Sequence, residues 1–127
     1  MTPFDDPQAE LAWMFLQSLC VGGDLDEGFE LLDDDFTYWN IVTRSELDKE
    51  GLRRATDRRQ KVFEVNIDLL RCLNEGETVV IEGEVEGITG DGTKYDSPFV
   101  TIFETRDGMI TSMREYSDTQ SLAKVFP

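Results

Sequence analysis

Near the start of the chain the apolar residues fall three and four apart: Leu11, Met14, Phe15 and Leu19, with Ser18, share one side of a helix. Asp6-Pro7 opens that helix, the aspartate as cap and the proline at the first helical position, and Gly22-Gly23 stops it. Asp24 opens a second, shorter helix running to about Leu32, with Leu25, Phe29 and Leu32 toward the core. The aromatic and β-branched residues that follow predict a strand over 36–42. Ser45-Glu46-Leu47-Asp48 repeats the capping pattern and predicts a third helix over 46–60, thinly apolar and rich in charge.

From Phe63 onward the period is two. Phe63, Val65, Ile67 and Leu69 alternate with Glu64, Asn66 and Asp68, the signature of a half-buried strand. Asn74-Glu75-Gly76, Thr89-Gly90-Asp91-Gly92 and Asp107-Gly108 then separate strands over 78–88, 93–105 and 109–118. Asp118 or Thr119 is expected to cap a last helical turn, with Leu122, Val125 and Phe126 folding back. Helices first and long antiparallel strands afterwards, with no linker or repeat, predict one α+β domain over 1–127 with helices on one face of a curved antiparallel sheet.

Charge and composition narrow the chemistry. A net charge of −15 argues against nucleic acid and against anionic membrane surfaces as partners. It also disfavours a strongly anionic substrate unless arginines offset it locally. Arg53-Arg54 and Arg58-Arg59 form such a group, expected on the outer face of the third helix. With no histidine in the chain, serine–histidine and cysteine–histidine mechanisms and histidine-ligated metal sites are excluded. No glycine-rich phosphate loop is present, so no cofactor and no metal is expected. Cys20 and Cys72 have neither metal-ligand nor disulfide spacing and read as buried thiols. Without a secretion signal or an apolar run of membrane-spanning length, the expected location is the cytoplasm.

The closing pattern Phe103 … Asp107-Gly108-Met109-Ile110 … Arg114-Glu115-Tyr116-Ser117-Asp118 resembles the "F-x-x-x-D-G-x-I … R-x-Y-x-D" ending of the nuclear transport factor 2-like superfamily. Leu31-Leu32-Asp33-Asp34-Asp35-Phe36 is similar to the approach to its first strand. The resemblance, to the SnoaL-like and ketosteroid-isomerase-like branches, implies a cone formed by the curved antiparallel sheet, with the three N-terminal helices packed on its concave face. It also implies a homodimer through the sheets. Tyr38-Trp39-Asn40 is similar to the Tyr-x-Asn with which limonene-epoxide hydrolases hold water. Their Arg-x-Asp on the middle strand falls on Glu82-Gly83-Glu84, and their second aspartate on Glu115. The arginine that bridges the two acids is thus replaced by Glu82.

Glu115 and Glu84 are therefore the candidate catalytic acids, with Tyr38 and Asn40 positioning a water or substrate oxygen. Two carboxyls inside an apolar cone cannot both ionise, which yields an acid beside a base. The rival reading makes Glu82, Glu84 and Glu86 a solvated stripe on the sheet's outer face. Trp13, Ser97, Phe99, Met113 and Glu82 are the candidate substrate contacts, lining a pocket for a small apolar or alicyclic molecule. Arg114 and Tyr116 point away from Glu115, toward strand or dimer packing. The expected function is a cofactor-independent enzyme of epoxide hydrolase, isomerase or cyclase type. The alternative is a non-catalytic ligand-binding or dimerisation module of the same fold.

Overall fold

The computed structural model describes residues 6–120. The first helix, α1 (Pro7–Ser18), begins as its sequence dictates, with the Asp6 carboxylate accepting the Gln8 amide at 2.9 Å. Its buried face is Ala9, Ala12, Phe15 and Leu16, whereas Met14 is 45% exposed. The helix is rotated from the expected face because the small alanines allow close approach to the sheet. Phe15 meets Phe29 of α2 (Leu25–Glu30) and Phe103 edge-on, with ring centroids 5.6 and 6.4 Å apart.

The first strand, β1 (Leu32–Asn40), starts earlier than expected and ends earlier too. Ile41, Val42 and Thr43 form a turn, and the Asn40 side chain accepts the Thr43 amide at 2.9 Å. Glu46–Asp48 is a short strand, β2, rather than the first turn of the third helix. It pairs antiparallel with β1, Leu47 opposite Tyr38. Asp48, not Ser45, caps α3 (Lys49–Gln60), accepting the Gly51 amide at 2.7 Å. Ser45 instead donates to the Thr43 hydroxyl.

Four long strands follow: β3 (Phe63–Glu75), β4 (Thr78–Thr89), β5 (Lys94–Arg106) and β6 (Met109–Ser117). Asp107 and Gly108, with φ of 53° and 78°, make the β5–β6 turn in the left-handed region that suits an Asp-Gly pair. The curved sheet is open, in the order β2-β1-β6-β5-β4-β3. It is not antiparallel throughout: β1 lies parallel to β6, Tyr38 beside Met113 and Asn40 beside Glu115. The helix expected around Leu122, Val125 and Phe126 lies outside the described residues.

The helices cover one face. Val79, Ile81, Phe99, Thr101, Phe103 and Met113 point toward them and are buried. The register is regular through β4 and most of β5 and β6, with Ile81 opposite Thr101 and Thr101 opposite Glu115. Glu115 therefore shares the inner face, and Glu82, Glu84 and Glu86 lie on the outer one.

Candidate active site

Parallel pairing of β1 with β6 brings two inner-face pairs side by side. Tyr38 is 9% exposed, and its hydroxyl lies close enough to the half-buried Glu115 carboxyl to stabilise its charge. Asn40 completes the group. Its carbonyl oxygen accepts from the Thr43 amide at 2.9 Å and the Thr43 hydroxyl at 3.3 Å. A backbone N–H can only donate, so this contact fixes the orientation of the amide. The Asn40 NH2 is left near Tyr38, where it holds back part of the rise in the phenol's pKa.

The electrostatics follow from burial. Desolvation raises the Glu115 pKa, and the nearby Tyr38 hydroxyl and the attraction of Arg59 offset part of that rise. Tyr38 is pushed well above its ordinary value, first by desolvation and then by the Glu115 charge. The phenol keeps its proton across the physiological range and serves as a donor. Glu115 is the group whose protonation state can change.

Three of the expected substrate contacts share this face. Ser97, Phe99 and Met113 are buried at 2%, 5% and 2% exposure on the same inner face. Trp13 is half-buried on α1 against the core. Ser117, two residues beyond Glu115, has a buried hydroxyl without a hydrogen-bond partner among the described residues. Phe99 and Tyr95 lie over glycines of β4. A Cβ at Gly83 would stand 2.8 Å from Phe99 Cζ, and one at Gly87 would stand 2.5 Å from Tyr95 Cζ. Only glycine lets these rings sit flat on the strand.

Glu84 and Glu82 are not part of this group. Both lie on the outer face, where alternation along β4 puts them, and Glu82 stands 3.7 Å from Arg71. The sheet separates Glu84 from Glu115, so the two carboxyls do not meet. Also on the outer face, Arg114 stacks 4.1 Å over Trp39 and donates twice to the Tyr116 hydroxyl at 3.1 Å.

Arg59 takes a place that sequence reasoning did not foresee. It lies on the face of α3 that carries the buried Leu52 and Thr56, at the spacing of successive helical turns. Its guanidinium is half-buried, donates to the Leu19 carbonyl at 3.1 Å and lies 5.6 Å over the Phe63 ring. Desolvation lowers its pKa, while Tyr95, Cys20, Glu115 and Tyr38 act in the opposite direction. Its neighbour Arg53 pairs with Asp26 at 2.9 Å, and Arg54 with Glu50 at 3.7 Å. Arg59 has no carboxylate within 4.0 Å among the described residues.

The family model described as a SnoaL-like domain matches residues 15–113. The chain belongs to the SnoaL-like domain family. Solved structures agree on the fold. An NTF2-like protein from Anabaena variabilis is 25% identical, with a TM-score of 0.81, 95% of this chain and 96% of that one being covered. An LEH-like epoxide hydrolase from M. tuberculosis is 26% identical with a TM-score of 0.77, over 93% of this chain and 87% of that one. A candidate SnoaL-like polyketide cyclase from Jannaschia sp. CCS1 has a TM-score of 0.81 at 17% identity, over 98% and 94%. No functionally curated protein matches the sequence.

Among the described residues, this SnoaL-like chain has no cluster of acids and cysteines able to hold a metal, and no helix long and apolar enough to cross a membrane. The surface depression bordered by Phe29, Asp34, Lys49 and Arg53 lies between α2, β1 and α3 and includes none of the inner-face group.

Proposed function

We propose that this SnoaL-like protein is a cofactor-independent enzyme that moves a proton on a small, mainly apolar molecule bound in the cone. The observation that carries the reading is Glu115: a desolvated carboxyl on the inner face, with Tyr38 and Asn40 beside it on the paired strand. Its raised pKa makes it a stronger base than an exposed carboxylate, closer in proton affinity to weakly acidic C–H groups.

In the proposed reaction, Glu115 takes a proton from a carbon next to a carbonyl. Neutralised, it no longer needs the Tyr38 hydroxyl, which turns to the negative oxygen that forms on the substrate. Asn40 donates to the Tyr38 oxygen and polarises that donor. Glu115 then returns the proton to a second carbon, as in an isomerase, or to an oxygen after ring closure, as in a cyclase. Epoxide opening is less well supported, because it uses a second acid and Glu84 lies across the sheet.

The test is exchange of α-protons on alicyclic ketones in D2O, followed by NMR. Glu115→Gln should slow exchange by roughly 10²–10⁴-fold while melting as a folded protein. Equal exchange by wild type and variant sinks the mechanism. One observation favours a second reading, a ligand-binding module without turnover: Glu115 has no second carboxyl beside it among the described residues. That reading expects binding of the ketones with no exchange at all. We further infer a homodimer through the outer face around Trp39, Arg114 and Tyr116, and a cytoplasmic setting in which Cys20 and Cys72 stay reduced.

A further inference from the structure

We propose that Arg59 and Tyr95 form a subsite for a carboxylate on the substrate, so that the molecule taken up is a small apolar acid. The inference deepens the preceding reading and rests on it for the nature of the occupant.

The argument begins with the donors of Arg59. A guanidinium carries five N–H groups in a planar fork. The Leu19 carbonyl takes one from Nη2, and the guanidinium carbon lies 5.6 Å over the Phe63 ring, which accepts no conventional hydrogen bond. With no carboxylate within 4.0 Å among the described residues, the rest of the fork has no anionic partner. Two other arginines of the same helix do have such partners: Arg53 pairs with Asp26 and Asp57, Arg54 with Glu50. Arg59 is the more desolvated cation and the less compensated one. A buried charge without a partner costs stability, and a bound anion would remove that cost.

Tyr95 supplies the second donor. Its ring lies edge-on to Phe63, with centroids 5.9 Å apart at 81°, and rests over Gly87. Phe63 is thus shared: Arg59 lies over its face, and Tyr95 meets it. Through this shared ring Tyr95 lies near Arg59, on the strand that pairs with the one carrying Glu115. A planar fork beside a phenol O–H matches the oxygens of one carboxylate. Tyr38, Asn40 and Glu115 stand on β1 and β6, whereas Phe63 and Tyr95 stand on β3 and β5. An acid anchored at Arg59 would therefore extend its apolar body past Ser97 and Phe99, with its reacting carbon toward Glu115. The local cation also answers the repulsion that a net charge of −15 exerts on an anion.

The experiment compares cyclohexanecarboxylate with cyclohexanecarboxamide, which has nearly the same shape without the charge, by calorimetry near neutral pH. The carboxylate should bind the wild-type protein about tenfold or more tightly than the amide. Arg59→Met should erase that preference, and Glu115→Gln should keep or widen it. In the unmodified protein, the Arg59 Nε–H NMR signal should move with the carboxylate and stay still with the amide. That measurement requires no variant to fold. Absent carboxylate binding, equal binding of the two probes, a preference that survives Arg59→Met, or an unmoved Arg59 signal each overturns the proposal. Because only binding is read, a Glu115→Gln variant with undiminished turnover would defeat the catalytic reading and leave this one standing.

Discussion

Gly83 and Gly87 stand on the same face of the same strand, yet replacing them by alanine should have different consequences. At Gly83 the new Cβ would lie 2.6 Å from the Asp68 carbonyl oxygen and 2.8–2.9 Å from the Phe99 ring. Reaching the ordinary 3.4 Å means parting β3 from β4 by on the order of 0.8 Å, in a ladder whose bonds resist it. Overpacking of this kind costs about 1–3 kcal/mol. Alanine's lower freedom in the unfolded chain returns about 0.4–1 kcal/mol. A net loss of about 1–2 kcal/mol should lower the melting temperature by roughly 3–10 °C. At Gly87 the three nearest atoms all belong to the half-buried Tyr95 ring, although they are closer still. A side chain can swing aside, so Gly87→Ala should cost less than about 1 kcal/mol. What it should lose is the Tyr95 position beside Arg59, and with it the carboxylate preference. Urea melts of the two variants, read beside the calorimetric comparison of acid and amide, decide the matter. A Gly87→Ala variant less stable than Gly83→Ala would refute the reasoning, because rigid backbone and movable ring would then not set the order.

Further outcomes follow from the inner-face group. Burial raises the Glu115 pKa above its ordinary value of 4.5, so the folded chain holds this proton more tightly than the unfolded chain does. Its contribution to stability is therefore greatest in acid and declines as pH rises from the ordinary carboxylate range through the raised value. Glu115→Gln should gain on the wild type across that window and then level off; a gap that is constant with pH contradicts the burial. Asn40→Asp keeps an acceptor for the Thr43 amide but loses the donor to Tyr38. It should fold with near-normal stability and exchange protons at least about tenfold more slowly. Trp39→Ala combined with Arg114→Glu should shift sedimentation from dimer to monomer, and a wild-type protein that sediments as a monomer removes the outer-face interface.

Much of this architecture is written in local periodicity. The long strands alternate over most of their length, and Asp107-Gly108 marks the last turn without ambiguity. The three-residue β2 is not legible in that way, because Glu46-Leu47-Asp48 is a strand only through its pairing with β1. Glu84 is more instructive. The alternation of β4 alone places it outside, with Val79, Ile81 and Val85 pointing in, and alignment with family acids places it inside. The alternation decides, since a side chain cannot change faces without shifting the register of every neighbour. Arg59 was open to detection too. Leu52, Thr56 and Arg59 form one stripe, but four arginines in a short segment read as a solvated surface. Only the packing of α3 against the sheet shows that a long cationic side chain completes that stripe inward.

The parallel contact between β1 and β6 has a bearing on how the molecule reaches its working state. Tyr38 is made early in synthesis, and its partner Glu115 comes on the last described strand. All four later strands can pair with sequence neighbours through hairpins, but β1 joins the sheet's long strands only through β6. Closing so long a stretch of chain is slow relative to hairpin formation. The proton-handling group is thus assembled by one of the least local steps of folding. Refolding followed through the burial of Tyr38 should lag behind hairpin formation, and a ribosome-bound chain lacking β6 would carry a mostly formed sheet and no chemistry.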